Sequence, residues 1–345
     1  MKVLVTGHRG YIGSVLVPLL VESGHEVAGL DTGLYEACGF GDRRSELTGS
    51  RLDIRDVGPR HLDGFEAVVH LAALSNDPVG DLDPQLTYDI NHVASVRLAR
   101  AARAAGVERF LFASSCSLYG AGDARAPLTE GAAFNPLTPY GESKILVERD
   151  VRSLATASFS PVFLRNATAY GVSPSLRVDI MVNNLVGYAV TTGEVLITSD
   201  GSPWRPLVHV EDICRAVLAS LEADRQRTHN QAFNVGLTEE NFRVREVAEM
   251  VESVTGSRVE LAAGASADAR DYRVDFGKIR RALPELRPRW TVRKGIEELY
   301  EAYLRYGMTA DQFLGGRFTR LAEIQRLQAA GRLDDRLRWT GGHDG

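Results

Sequence analysis

The chain has few cysteines, no long apolar run and no excess of positive charge. Its three cysteines, Cys38, Cys116 and Cys214, lack the spacing of metal ligands, so neither a disulfide framework nor a zinc site is indicated. No apolar stretch reaches the roughly 20 residues of a membrane span. The net charge of −5 argues against a nucleic-acid partner. We therefore expect a cytoplasmic protein without a signal peptide and with no membrane partner.

What is present is a regular alternation of apolar strands and helices in the first half. Strands are predicted at residues 2–5, 26–30, 50–53, 67–71, 109–114 and 161–165, and helices at 14–22, 83–105 and 140–154. Buried strands separated by helices indicate a Rossmann-type, doubly wound parallel sheet of the α/β class. Such a sheet binds its ligand beyond the carboxyl ends of the strands.

The pattern loosens after residue 170, where loops and turns become frequent. We expect residues 1–170, with about 207–237, to form a dinucleotide-binding domain. Residues 171–206 and 238–345 should form a smaller, discontinuous C-terminal α/β substrate domain with a helical tail, and 294–337 are predicted to be helical.

The first 14 residues, MKVLVTGHRGYIGS, carry a glycine pattern between a strand and a helix. Gly7 permits a sharp turn off the strand, Gly10 lets a phosphate approach the backbone, and Gly13 lets the helix pack against the sheet. The N-terminus of that helix would then face a pyrophosphate. Because the strand and helix are both present, the motif predicts dinucleotide binding.

Asp31 ends the second predicted strand, about 20 residues after the glycines. A carboxylate there accepts hydrogen bonds from both ribose hydroxyls of an adenosine and repels a 2′-phosphate, so NAD is favoured over NADP. The alternative is that Asp31 caps a loop. Arg43 and Arg44 also leave the preference open, since either can meet a 2′-phosphate.

A tyrosine and a lysine stand four residues apart in the segment YGESK. On a helix, Tyr140 and Lys144 share one face. A phenol has a pKa of about 10, and a nearby ammonium favours the phenolate. Tyr140 could then move a sugar hydroxyl proton while hydride moves to or from NAD. The alternative is an ordinary surface pair. From the preceding strand end, SSCSLYG, we choose Ser115 as the third member, because its hydroxyl can share that proton.

These motifs together resemble the extended short-chain dehydrogenase/reductases that modify nucleotide sugars. The resemblance covers roughly residues 1–300 and does not extend to the tail beyond Tyr306. It is carried by TGHRGYIG, Asp31, Asp53-Ile54, His70-Leu71-Ala72-Ala73, Asn91, SSCSLYG, YGESK, WRPLVHVED and FNVG.

The resemblance implies a set of cofactor contacts. Asp53 and Ile54 would lie near the adenine, and 71–73 would line the pyrophosphate channel. The full implied set is Gly7, Arg9, Gly10, Tyr11, Ile12, Gly13, Asp31, Asp53, Ile54, Leu71, Ala72, Ala73, Asn91, Ser114, Tyr140 and Lys144.

It also implies a nucleoside-diphosphate sugar as substrate. Asn184, or Asn183 in its place, would contact the diphosphate with Arg205 and Arg270, because guanidinium forks suit phosphates. Each arginine could instead form a surface ion pair. The sugar pocket would include Ser75, Ser115, Asn166 and Thr168, with neighbours from 75–78 and 175–179.

The absence of a carboxylate pair argues against one reaction of this family, 4,6-dehydration. Sugar 4,6-dehydratases of this family carry Asp-Glu where this chain has Cys116 and Ser117, so the usual acid and base for elimination are missing. An epimerase working through a transient keto-sugar is predicted. A keto-reductase or dehydrogenase, an atypical dehydratase and a non-catalytic dinucleotide sensor remain alternatives. Cys116 is either a packing residue or an acid–base group.

The family further implies a homodimer. The helices around 89–105 and 143–154 would pair with those of a second copy, with Ile145 and Val151 as apolar positions that fit either the interface or the core.

Overall fold

The computed structural model describes residues 1–42, 49–75, 83–121, 126–266 and 270–341. Seven strands form one fully parallel sheet in the order β10-β6-β5-β4-β1-β2-β3. They are β1 (Lys2–Thr6), β2 (Glu26–Asp31), β3 (Gly49–Arg51), β4 (Ala67–His70), β5 (Arg109–Ser115), β6 (Ser160–Asn166) and β10 (Gln231–Val235). The chain reverses its direction of winding between β1 and β4. The predicted Rossmann-type sheet is confirmed, with strand ends shifted by a residue or two.

Helices cover both faces of this sheet because the strands are apolar on both sides. In chain order they are α1 (Gly13–Glu22), α2 (Pro84–Thr87), α3 (Ser95–Ala104), α4 (Pro139–Arg152), α6 (Val210–Glu222), α7 (Arg225–Thr228) and α9 (Gly277–Ala282). Two apolar clusters fill the two interfaces: Phe110 and Phe163 lie in one, Leu16 and Val217 in the other.

The helix predicted at 83–105 is interrupted. A π-helical segment, Tyr88–Ala94, separates α2 from α3. Within it Asn91 is buried and its side-chain amide bonds both backbone groups of Leu74, at 2.8 and 3.0 Å. The segment therefore anchors the loop that follows β4.

A smaller part lies beyond the carboxyl ends of the sheet strands. Strands β7 (Thr168–Tyr170), β9 (Trp204–His209) and β11 (Asn241–Arg243) form one sheet, and β8 (Glu194–Ser199) and β12 (Arg258–Ser266) form another. Helices α5 (Met181–Thr192), α8 (Val244–Thr255), α10 (Val292–Arg305) and α11 (Ala310–Leu314) enclose its core. Short 3₁₀ turns occur at Glu36–Cys38, Ile54–Asp56, Pro59–His61, Cys116–Tyr119 and Thr238–Glu240.

The tail is not the continuous helical stretch that the sequence predicted. After α10 and α11 comes α12 (Arg320–Ala329), and residues 330–341 are irregular. Ile324, Leu327 and Leu337 lie in the same apolar cluster as Phe110 of the parallel sheet. The domain boundaries stay a prediction, but this tail packs against the sheet core. None of the helices in the described ranges is long and apolar enough to span a bilayer.

Candidate active site

A cavity of about 830 Å³ lies where the carboxyl ends of the sheet strands face the smaller part. This volume is in the range of small-molecule and cofactor sites. Of the residues predicted from sequence, the following line it: Gly7, Gly10, Tyr11, Ile12, Gly13, Asp31, Asp53, Ile54, Leu71, Ala72, Ala73, Ser75, Ser114, Ser115, Tyr140, Lys144, Asn166, Thr168, Asn184, Arg205 and Arg270.

The turn after β1 requires glycine at two positions. Gly7 has a φ of +75°, and a Cβ there would lie 2.8 Å from the backbone nitrogen of Ala72. A Cβ on Gly13 would lie 2.2 Å from the carbonyl oxygen of Gly7. The turn is therefore packed against both the β4 loop and the start of α1, and the N-terminus of α1 faces the cavity, as a pyrophosphate requires.

Asp31 is held by backbone donors at the end of β2. Its carboxylate accepts from the N–H of Arg9 at 3.0 Å and from the N–H of Gly33 at 2.8 Å. A carboxylate has about four acceptor sites, so capacity remains for ribose hydroxyls. Both the capping role and the ribose role are thus compatible with its geometry.

Tyr140 and Lys144 lie on the first turns of α4, which begins at the Thr138 cap. The Thr138 hydroxyl accepts from the N–H of Gly141 at 3.2 Å. The Lys144 ammonium donates to the carbonyl oxygen of Ala113 at 2.7 Å and lies 5.4 Å from the centre of the Tyr140 ring. Burial lowers the pKa of Lys144 to about 7, against the opposing charge of Glu148. In its protonated form, Lys144 places an ammonium beside the phenol of Tyr140, which favours the phenolate.

Ser115 ends β5 and faces the same cavity. Its hydroxyl accepts from the N–H of Ser117 at 3.1 Å and donates to the Ser117 hydroxyl at 3.0 Å. Behind it, the Ser114 hydroxyl donates to Glu148 at 2.6 Å, and Glu148 also pairs with buried Arg165 at 2.7 Å. This paired charge fixes the strand end on which Ser115 lies.

Of the predicted substrate residues, Asn184 on α5, Arg205 on β9 and Arg270 line the cavity from the smaller part. Arg205 donates to the backbone carbonyls of Trp204 and Arg270, which orients its guanidinium beside the cavity wall. The side-chain oxygen of Asn166 is buried without a hydrogen-bond partner among the described residues. It is therefore an acceptor that a sugar hydroxyl could satisfy.

Four of the residues predicted from the sequence are not among those that line this cavity: Arg9, Asn91, Cys116 and Asn183. The Arg9 side chain pairs with Glu36, and Asn91 anchors Leu74. Asn183 is buried and bonds Gly171 and Arg177, so Asn184 is the asparagine at the cavity.

Cys116 is 1% exposed, and its thiol donates to the carbonyl oxygen of Arg165 at 3.2 Å. Burial raises the pKa of this thiol. Its geometry favours the packing interpretation over the acid–base one.

The cavity wall also includes residues that no sequence motif indicated, among them Arg177, Arg320 and Leu337. Arg177, within the unranked range 175–179, forms a two-pronged ion pair with Asp179 at 2.7 and 3.1 Å. Arg320 and Leu337, from the tail, also line the cavity. No sequence signal distinguishes them, because the chain is rich in arginine and the tail has no motif. Arg43, Arg44 and 76–78 lie outside the described residues.

Comparison with known proteins decides the family. The family model described as the NAD dependent epimerase/dehydratase family matches residues 3–236. The chain belongs to this family. The predicted family, its enzyme class and its NAD cofactor are thereby confirmed.

Among curated relatives, UDP-glucose 4-epimerase of Corynebacterium glutamicum is 32% identical over 274 residues, covering 74% of this chain and 81% of that protein. UDP-glucose 4-epimerase of Bacillus subtilis is 29% identical, covering 87% and 94%. The solved structure of MoeE5 in complex with UDP-glucuronic acid and NAD is 30% identical, covers 88% of this chain and 99% of that chain, and has a TM-score of 0.76.

Proposed function

We propose that this protein is an NAD-dependent nucleotide-sugar epimerase that inverts C4 of a UDP-sugar through a transient keto-sugar. The observation that carries the proposal is the meeting of Ser115, Tyr140 and Lys144 at one cavity wall without a carboxylate at 116 or 117. Relatives over most of the chain are UDP-glucose 4-epimerases, and MoeE5 binds two different UDP-sugars with NAD.

The residues present fit the cofactor, because the glycine turn, the Asp31 carboxylate and apolar Ile54 all line the same cavity. Bound there, NAD would supply the hydride acceptor for the sugar carbon and, once reduced, the hydride donor for the opposite face of the keto-sugar. Tyr140 removes the proton of the sugar hydroxyl and gives it back, while Ser115 bonds the same oxygen. Lys144 supports the phenolate with its positive charge. Such a cycle needs no carboxylate pair.

The substrate would contact cavity residues other than those that would hold the cofactor. Arg205 and Arg270 would bind the diphosphate, with Asn184 beside them, because paired guanidinium groups match phosphate oxygens. Asn166 and Thr168 would contact the sugar. The resemblance to the family implies an asparagine at the position of Thr168, whose side chain is shorter, so we expect the sugar pocket to differ from that of a galactose-type epimerase.

The test is an incubation in deuterated water with UDP-glucose and with UDP-glucuronic acid, followed by mass spectrometry and NMR. We expect the C4 epimer at unchanged mass, without solvent deuterium on carbon and without net NADH at 340 nm. Stoichiometric NADH would show a dehydrogenase, and loss of water from the product would show a dehydratase. Label at a sugar carbon would show enolisation, and no conversion of either sugar would contradict the proposed substrates.

A homodimer and a cytoplasmic location remain proposals. Val151 is buried and Ile145 is partly buried against the protein's own core, so neither supplies an outward apolar surface. Val93, in the π-helical segment Tyr88–Ala94, is 55% exposed. Sedimentation velocity of wild type and Val93→Asp would test the dimer: a smaller species for the variant supports pairing through this face. The three cysteines are free and buried, as a reducing compartment allows.

A further inference from the structure

The tail crosses the adenosine end of the cavity. Residues 332–340 contact two loops that the sequence predicts around the adenosine: the one after β2 and the one after β3. The Trp339 ring nitrogen donates to the carbonyl oxygen of Thr32 at 2.8 Å. Arg55 donates to the carbonyl oxygen of Arg336 at 2.8 Å, and Arg338 forms an ion pair with Asp56. The two loops are thus joined by a segment almost 300 residues away in the chain.

Arg320, at the start of α12, is a buried cation at the cavity wall. It is 2% exposed, and one terminal nitrogen, Nη2, donates to the carbonyl and hydroxyl oxygens of Ser175 at 2.9 and 2.8 Å. Its guanidinium lies 4.6 Å from the ring centre of Tyr35. The other terminal nitrogen, Nη1, is buried without a hydrogen-bond partner among the described residues, while the guanidinium group also interacts with the buried thiol of Cys38. A buried guanidinium donor is costly to leave unpaired, so this geometry points to an absent acceptor.

Leu337 is held in an unfavourable backbone conformation. Its φ is +56°, a region that costs a residue with a side chain of order 1–2 kcal/mol. Its side chain is 6% exposed, lines the cavity and packs in one cluster with Leu34 and Ile54. Ile54 is the residue predicted to lie near the adenine. The strain is maintained by the flanking contacts of Arg55 and Trp339, so the fold keeps this leucine at the adenine subsite.

We propose that Arg320 and residues 332–340 form a clasp for the adenosine half of NAD. Arg320 Nη1 donates to a ribose or phosphate oxygen of that half, Leu337 packs against the adenine, and the contacts of 336–339 with the two loops keep the clasp closed. The clasp rests on the NAD-dependent function proposed above. It retains the cofactor between turnovers, which suits an epimerase because it regenerates NAD in every cycle. A reductase must exchange its cofactor.

The test measures NAD release rather than turnover. Wild type, Arg320→Gln, Leu337→Gly and a protein ending at Gly331 are purified with NAD, passed through a desalting column and assayed for bound NAD over time. Arg326→Gln is the matched control, because this arginine lies on the same helix, pairs with Glu323 and does not line the cavity.

We expect wild type and Arg326→Gln to keep NAD through the column. Arg320→Gln should release it about tenfold faster or more, the effect of losing one charged hydrogen bond. Leu337→Gly should release it about fivefold faster while remaining folded, because glycine adopts the positive φ without strain. The truncated protein should release NAD fastest. If the truncated protein does not fold, the two point variants give the answer.

The clasp is overturned if wild type loses NAD on the column, or if Arg320→Gln and Leu337→Gly release it as slowly as the control. Its failure is distinguishable from that of the proposed function. Epimerisation by wild type with equally slow release from all folded variants removes only the clasp. If wild type retains NAD, the clasp variants release it faster and no UDP-sugar is epimerised, only the proposed epimerase function is contradicted.

Discussion

The two ends of the cavity are assembled in different ways. At the proposed catalytic end, Ser115 ends β5 and Tyr140 and Lys144 lie on the first turns of α4, so the proposed reacting groups come from one strand, one helix and about 30 residues of chain. At the proposed adenosine end, Asp31 near the N-terminus lines the same cavity as Arg320 and Leu337 near the C-terminus. On the proposed assignment, the reacting groups are positioned by local structure, whereas the groups that would retain the cofactor are brought together by long-range packing.

The electrostatics of the two ends differ as well. Lys144 and the Glu148–Arg165 pair are buried at the proposed catalytic end, where the low dielectric strengthens electrostatic interactions. The ion pair of Arg338 with Asp56 at the adenosine end is partly exposed, and exposed pairs contribute little. Changes at the catalytic end should therefore alter turnover, and changes at the adenosine end should alter cofactor release.

The largest expected effect separates these two properties. Tyr140→Phe removes the hydroxyl that would move the sugar proton, so kcat should fall about a thousandfold. The adenosine end is untouched, so NAD should remain bound through desalting as in wild type. Coupled assays of epimerisation and measurement of bound NAD on the same preparation check both statements.

Tyr88→Phe is the control for this variant. Its hydroxyl donates to Glu142 at 2.6 Å and it does not line the cavity, so turnover should stay within about twofold of wild type. If Tyr140→Phe instead turned over normally, the protein would be a dinucleotide-binding protein whose chemistry lies elsewhere. If it lost both turnover and NAD, the two ends would not be independent.

A second prediction concerns the pH dependence of stability that arises from His70. His70 ends β4 beneath the glycine turn, and its ring nitrogens bond the hydroxyls of Thr6 and Ser95, both at 2.7 Å. Burial, and secondarily the charge of Lys144, lowers the pKa of His70 to about 3. In the unfolded chain it titrates near 6.5, so between pH 6.5 and 3 the unfolded state binds the extra proton.

Stability should consequently fall as the pH drops below about 6.5. The slope from this group is about 1.4 kcal/mol per pH unit, or about 2 kcal/mol between pH 6.5 and 5. His70→Gln keeps hydrogen-bonding groups but does not titrate, so its unfolding free energy should depend less steeply on pH by that amount. Urea unfolding of both proteins from pH 5 to 7.5 measures the difference. Equal slopes would mean that His70 has the same pKa in the folded and the unfolded chain.

The contrast between local structure and long-range packing also explains which features could be predicted from the sequence. The sheet, the glycine turn and the residues of the catalytic end were predictable because strand periodicity and helical spacing are local properties. Asn91, Asn183 and Cys116 follow family motifs, yet each faces the interior, since a motif gives a position along the chain and not the direction of a side chain. Arg320 and Leu337 were not predictable, because their place depends on how the tail returns to the sheet.

The smallest expected effect tests that distinction within the catalytic end. Cys116 is adjacent to Ser115 in sequence, but its thiol is buried against the carbonyl of Arg165, and burial raises its pKa. Cys116→Ala should therefore change kcat by less than about threefold and lower stability by about 1 kcal/mol, as expected for a small buried side chain. Kinetics and urea unfolding check the two values. Two results together would instead make the thiol an acid–base group: a large loss of kcat in Cys116→Ala with unchanged stability, and solvent deuterium on a carbon of the wild-type product. Only a group that protonates carbon would produce both results.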